Sequence, residues 1–163
     1  MTPFNKPYLT GREAPNIAEA LAARKLSGDG PFTKRCQAML EGLLGSGRTF
    51  LTTSCTDALE AAALLCEIEP GDEVIVPSYT FVSTANAFAL RGAIIRFADS
   101  YANHPNMDPA SVAALIGPQT KAIVPVHYAG VACDMDALAE LAEHNSAQIV
   151  EDAAQGIASS YKG

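Results

Sequence analysis

Hydrophobic and polar positions along the chain change period repeatedly. Short apolar runs rich in β-branched residues read as strands: Arg48–Thr53 (RTFLTT), Glu73–Pro77 (EVIVP), Ile94–Ala98 (IIRFA), Lys121–Val126 (KAIVPV) and Ala147–Asp152 (AQIVED). Between them lie segments of helical character. Ala58–Ile68 is apolar around nearly its whole circumference, as a buried helix must be. Phe81–Leu90 is stopped by Gly92; Pro109–Ile116 and the amphipathic Met135–His144 complete the set. Pro125 weakens its own strand, because proline brings no N–H to a ladder. The alternation predicts an α/β fold, a three-layer arrangement with a parallel sheet between helices. Residues 1–46 precede the first strand and read as an arm plus two helices, closed by Gly45, Ser46 and Gly47. Gly30-Pro31 opens the second helix with proline in its first turn. The expected division is therefore 1–46 and 47–163.

The chain's 163 residues are 48% hydrophobic, enough for a real core. A net charge of −7 argues against a nucleic-acid or anionic-membrane surface. No apolar run is long enough to span a bilayer, and the N-terminus carries no signal-like segment, so the expected location is cytoplasmic. Cys36, Cys55, Cys66 and Cys133 form no CxxC pair and have no histidine cluster beside them, which argues against a zinc site or a disulfide framework.

In parallel α/β sheets ligands bind outside the carboxyl ends of the strands. Those ends carry Thr53–Asp57, Pro77–Phe81, His127–Tyr128 and Asp152–Gln155. SCTDALE opens a helix. Ser54 and Asp57 read as a capping box, but the free N–H groups of a helix start also bind phosphate, with the Thr56 hydroxyl in support. Neither GxxxxGK[ST] nor GxGxxG occurs. Asp152 closes an apolar strand in VEDAAQG; it is either an N-cap or a carboxylate for a ribose, a metal or a protonated ring nitrogen. Gln155 lies one turn further on. Phe81 is either a stacking ring or core. His127 is a lone histidine at a strand end, a type of residue that is more often structural than catalytic.

Together, a phosphate cradle, a stacking ring and a carboxylate for a ring nitrogen are the parts pyridoxal phosphate needs. With PFNKP, LSGDGPFTKRC, SCTDALE, GDEVIVPSYTFVSTANAF, PVHYAG, DMDAL and VEDAAQG, the chain resembles the sugar aminotransferases of the DegT/DnrJ/EryC1/StrS family. The resemblance implies an incomplete large domain of the aspartate-aminotransferase fold, that is, pyridoxal-phosphate fold type I. It implies that Thr56 and Asp57 hold the cofactor phosphate, Phe81 stacks on the pyridine, Asp152 pairs with the pyridinium nitrogen and Gln155 lies beside the phenolic oxygen. Gly28–Gly30 would border the sugar-nucleotide pocket, across a homodimer interface. A nucleotide sugar and glutamate are the implied substrates.

Family members carry a Schiff-base lysine in a later serine-phenylalanine-histidine motif that this chain lacks. Lys162 sits in a different context and is no substitute. The resemblance therefore implies an N-terminal portion of an aminotransferase, inactive alone. A sugar dehydratase of the same family, with histidine at the lysine position, and a non-catalytic remnant are the alternatives. The family fold also implies the strand order Ala147–Asp152, Lys121–Val126, Glu73–Pro77, Ile94–Ala98, with Arg48–Thr53 left without ladder neighbours.

Overall fold

The computed structural model describes residues 6–45, 47–157 and 159–163. The first five residues of the expected arm, and Ser46, lie outside them. The chain forms two units, one ending at Leu51 and the other spanning Thr52–Gly163.

The first unit holds α1 (Glu13–Ala22) and α2 (Pro31–Leu44). Pro31 occupies the first turn of α2, and Gly45 ends it in the left-handed conformation at φ 63°, its N–H donating to the Glu41 carbonyl. Neither helix has a fully buried residue. Ile17, Leu21, Met39 and Leu43 remain largely exposed.

The second unit is a three-layer α/β fold. Its helices are α3 (Cys55–Leu65), α4 (Val82–Ala89), α5 (Pro109–Leu115) and α6 (Met135–His144). Its strands are β1 (Glu73–Pro77), β2 (Ile94–Ala98), β3 (Thr120–Ile123) and β4 (Gln148–Ile149). The strands are parallel in the order β2-β1-β3-β4, as the family fold implied. Successive β1 residues face opposite layers. Val74 and Val76 join Leu59, Ala63, Phe88 and Val124 in the core under α3 and α4. Ile75 joins Met107, Val112, Ile123 and Leu138 in the core under α5 and α6.

Three strand expectations need correction. Arg48–Thr53, read as a strand from its own pattern, is not one: it forms no ladder with β1 or with any other described strand, the lack of neighbours that the family fold implied, and hydrophobic alternation makes a strand only where a partner supplies hydrogen bonds. The strand expected at Lys121–Val126 is Thr120–Ile123, and that expected at Ala147–Asp152 is Gln148–Ile149. Pro125 offers no N–H, so the regular ladder stops there. Single bonds carry the pairing on: Val150 N–H to the Ile123 carbonyl, Asp152 N–H to the Pro125 carbonyl at 2.9 Å, and His127 N–H to the Asp152 carbonyl at 3.1 Å. Helix α3 starts earlier than its apolar period indicated, because the polar first turn is helical too.

Gly92, at φ 88°, turns the chain from α4 into β2. A Cβ there would sit 2.9 Å from Pro70 Cγ, so both the conformation and the space require glycine.

Phe88 is fully buried between α4 and the sheet. Phe88→Ala is expected to destabilise the second unit by about 3–5 kcal/mol, whereas Leu65→Ala, on an exposed side chain, should stay within about 0.5 kcal/mol. Urea denaturation of the two variants, side by side, checks this.

Candidate functional site

The carboxyl edge of the sheet gathers residues from α3, α4 and the segment after β4. Its centre is Asp152, only 5% exposed. Oδ2 accepts the Thr84 hydroxyl at 2.7 Å. Oδ1 accepts the Ala154 N–H at 3.2 Å and faces the Cys55 thiol at 3.7 Å. All three donors are neutral, and among the described residues no lysine, arginine or histidine forms an ion pair with it. A carboxylate has about four acceptor sites, so one remains beyond these three contacts. The Cys55 sulfur is turned toward Asp152; its desolvation, then the Asp152 charge, push the thiol's pKa up and keep it an S–H donor.

Cys55 is also the first residue of α3, so the helix start lies beside Asp152. Ser54 caps it: its side chain accepts the Asp57 N–H at 3.2 Å. The backbone N–H groups of Cys55 and Thr56 have no acceptor among the described residues. They are the unsatisfied donors of a helix N-terminus, where the dipole favours an anion. The Asp57 carboxylate accepts the Thr53 hydroxyl. That bond, with the Ser54 hydroxyl and backbone in support, lowers the Asp57 pKa below the usual carboxylate range.

Phe81 precedes α4 and is 72% exposed, so its ring is open to a partner and is not core. Tyr79 stands two residues before it, its ring 4.9 Å from that of Tyr128 and their hydroxyls 3.4 Å apart. Gln155 uses Oε1 to accept the Ala129 N–H at 2.7 Å, which leaves its amide group as a donor. Gly130, at φ 79°, lets this loop pass close to the Gln155 carbonyl, 3.1 Å from where a Cβ would lie.

His127 is a brace. Nδ1 accepts the Cys133 N–H at 3.2 Å, which puts the proton on Nε2, where it is donated to Glu151 at 2.7 Å. The ring thus ties the loop after β3 to the residue preceding Asp152. Gly28–Gly30 belongs to the other unit, in the loop before α2. Lys162 bonds the Asp136 carboxylate; that bond, then Tyr161, raises its pKa and keeps it protonated.

Thr84 and Cys55 are the residues the sequence did not disclose. One sits inside an ordinary helical segment and the other is a lone cysteine within SCTDALE. The single available signal was the cluster of hydroxyl residues in SYTFVST, which follows a strand end.

A parallel sheet with a buried carboxylate at its carboxyl edge, beside a helix start that keeps two free N–H groups, has the layout of an α/β enzyme domain. The model of the DegT/DnrJ/EryC1/StrS aminotransferase family matches residues 7–163, and the chain belongs to that family. It is 38% identical over 160 residues to the spore coat polysaccharide biosynthesis protein SpsC of Bacillus subtilis, covering 98% of this chain and 41% of that one. It is 36% identical to the GDP-perosamine synthase of Caulobacter vibrioides, covering 96% of this chain and 42% of that one. The aminotransferase from Psychrobacter cryohalolentis superposes with a TM-score of 0.93 at 32% identity, over 99% of this chain and 41% of that one. NtdA from Bacillus subtilis, solved with bound cofactor PMP, superposes with a TM-score of 0.85 at 32% identity, over 89% of this chain and 33% of that one. The fold is thus part of the fold-type-I aminotransferase large domain. The chain spans about two-fifths of the length of the curated relatives it matches.

The Asp57 hydrogen bonds have a pH signature. A carboxylate whose folded pKa is lowered adds stability that is complete above the ordinary carboxylate range and fades as pH falls through the lowered value. Thr53→Val is expected to move the Asp57 titration back up toward the ordinary range. Carbon-detected NMR titration of the Asp57 carboxyl measures it.

Proposed function

We propose that this chain is the cofactor-binding portion of a pyridoxal-phosphate-dependent nucleotide-sugar aminotransferase. The observation that carries the reading is the buried Asp152 carboxylate, held by neutral donors with one acceptor site remaining. A buried carboxylate without a counter-charge is costly, and a protonated pyridine nitrogen meets that need with a charge-assisted bond. The nearby groups fit the rest of the cofactor. Thr56 and Asp57 offer backbone N–H groups and a hydroxyl to its phosphate, Asp57 sharing its N–H with the Ser54 cap. Phe81 offers a ring to the pyridine, and Gln155 a free amide to the phenolic oxygen.

When bound, the cofactor supplies an electron sink to the substrate carbon. The chain's part is to hold it: Asp152 keeps the ring nitrogen protonated, Phe81 fixes the ring plane, and the start of α3 anchors the phosphate. Residues 47–163 form the cofactor-binding part, preceded by an arm and helices in 1–46. Gly28–Gly30 would border the sugar-nucleotide pocket of a homodimer. Exposed apolar residues of α1 and α2 support association. No helix among the described residues is long and apolar enough to cross a membrane, in keeping with a cytoplasmic enzyme.

The finer reading is transfer of an amino group from glutamate to C4 of a dTDP-4-keto-6-deoxyhexose, the dTDP-4-amino-4,6-dideoxygalactose transaminase reaction of enterobacterial common antigen synthesis. The LSGDG and SCT stretches support it. One relative is a GDP-perosamine synthase, so the assay runs dTDP- and GDP-linked 4-keto sugars in parallel.

The complete polypeptide carrying this chain is expected to form amino sugar from glutamate and the dTDP-linked substrate, read by mass spectrometry. Asp152→Asn should keep its fold and lose several kcal/mol of barrier lowering, at about 1.4 kcal/mol per tenfold in rate. Near-normal turnover in that variant would remove Asp152 from the cofactor role.

Lys162 gives a separate check on the 163-residue chain. Its protonated, Asp136-bound amine is a poor nucleophile. Borohydride reduction of a mixture with pyridoxal phosphate, followed by peptide mapping, is expected to give no stoichiometric label at Lys162.

A further inference from the structure

We infer that Thr84, backed by Thr80, is the positioning residue that aims the Asp152 carboxylate at the cofactor's ring nitrogen; the inference rests on the proposed function. Thr84 is fully buried in the first turn of α4, and its hydroxyl reaches Asp152 Oδ2, 68 residues away in sequence. A threonine in a helix can instead turn its hydroxyl back to the carbonyl three or four residues earlier. This one does not. Its proton goes to Asp152, and its oxygen lies 2.8 Å from the Thr80 hydroxyl.

The direction of this chain follows from counting protons. Thr84 has one hydroxyl proton, and an ionised Asp152 can only accept. Thr84 therefore donates to Asp152, and Thr80 must donate to Thr84. Hydrogen bonds aligned in one direction polarise one another, so Thr80 strengthens the bond that Thr84 makes. The β-branched side chain restricts χ1 in the helix, and full burial removes the freedom that remains. Asp152 is thus fixed from the α4 side on Oδ2, while Oδ1 meets Ala154 and Cys55. The two oxygens are held from different directions, which fixes both the position and the twist of the carboxylate.

The test compares wild type, Thr84→Val, Thr84→Ser and Asp152→Asn. Its probe is pyridoxamine 5′-phosphate labelled with 15N in the ring, which binds without covalent attachment. One readout needs no ligand: three-bond couplings report the Asp152 side-chain rotamer. The other is the ring 15N shift and dissociation constant of the bound probe. Wild type and Thr84→Ser are expected to show one Asp152 rotamer, and Thr84→Val an average of several. Thr84→Val should weaken probe binding about tenfold, the scale of a hydrogen bond to a charged group, and move the ring nitrogen toward its unprotonated shift. Thr84→Ser should restore both. A single fixed rotamer in Thr84→Val, or wild-type binding and ring shift in that variant, overturns the inference. Wild-type binding and ring shift in Asp152→Asn overturn the proposed function instead, while the rotamer readout still judges the Thr84 contact. Failure of the wild-type protein to bind the probe counts against both. Should Thr84→Val not fold, Thr80→Val removes only the backing hydroxyl; it should give a smaller loss in the same direction, and no change there overturns the relay.

Discussion

A carboxylate buried without a cation is the constraint around which the second unit is arranged. Removing a charge from water costs several kcal/mol unless hydrogen bonds replace the lost solvation. Here the replacements come from three parts of the chain. Helix α4 supplies the Thr84 hydroxyl, the start of α3 supplies the Cys55 thiol, and the turn after β4 supplies the Ala154 N–H. The parallel order β2-β1-β3-β4 places the segments following β1, β3 and β4 along one edge, and the start of α3 meets them there through the Cys55 contact with Asp152. Backbone bonds finish the placement. The Asp152 N–H is taken by Pro125 and its carbonyl by His127, so the residue cannot slide along the strand direction without breaking both.

The fold was largely legible because its strongest signals are local. β1 and β2 match their apolar runs end to end, since neither run is interrupted and each is paired along its whole length. β3 and β4 are shorter than their runs because Pro125 removes a donor, a cost visible in the sequence but not its extent. Arg48–Thr53 had the right pattern for a strand and lacks a partner; pattern reports which faces a segment would bury, not whether a neighbour exists. Asp152 was legible by the same local logic, as a carboxylate at the end of an apolar run. Thr84 was not, because its partner lies far off in sequence and its own surroundings describe only a helix.

His127 shows why a residue type at a suggestive place is weak evidence alone. Both ring nitrogens are committed, one to a backbone N–H and one to Glu151. A histidine so engaged orders the loop that brings Ala129 to Gln155, and it has no nitrogen left for proton transfer while those bonds hold. Phe81 is the opposite case. It was read as core or as a stacking ring, and its exposure at the helix start removes the first possibility.

The acidic balance of the chain raises a final question, since the proposed ligand is itself an anion. A net charge of −7 would repel a phosphate if long-range charge decided the matter. The donors at the α3 start are backbone N–H groups, whose attraction is short-ranged and directional. Such a site needs no lysine or arginine, but it does need local negative charge kept off its axis. The Asp57 carboxylate, in the first turn, is one such charge. Its bond to the Thr53 hydroxyl anchors that charge to the segment leading into the helix. Ser54, meanwhile, supplies an acceptor to the Asp57 N–H, so the helix end is satisfied on that side before any ligand arrives. The result is a helix start that stays folded by its own cap and still keeps the Cys55 and Thr56 donors for an anion. In an acidic protein the selectivity of such a site comes from geometry, because only a compact group with several acceptor oxygens can use those donors together.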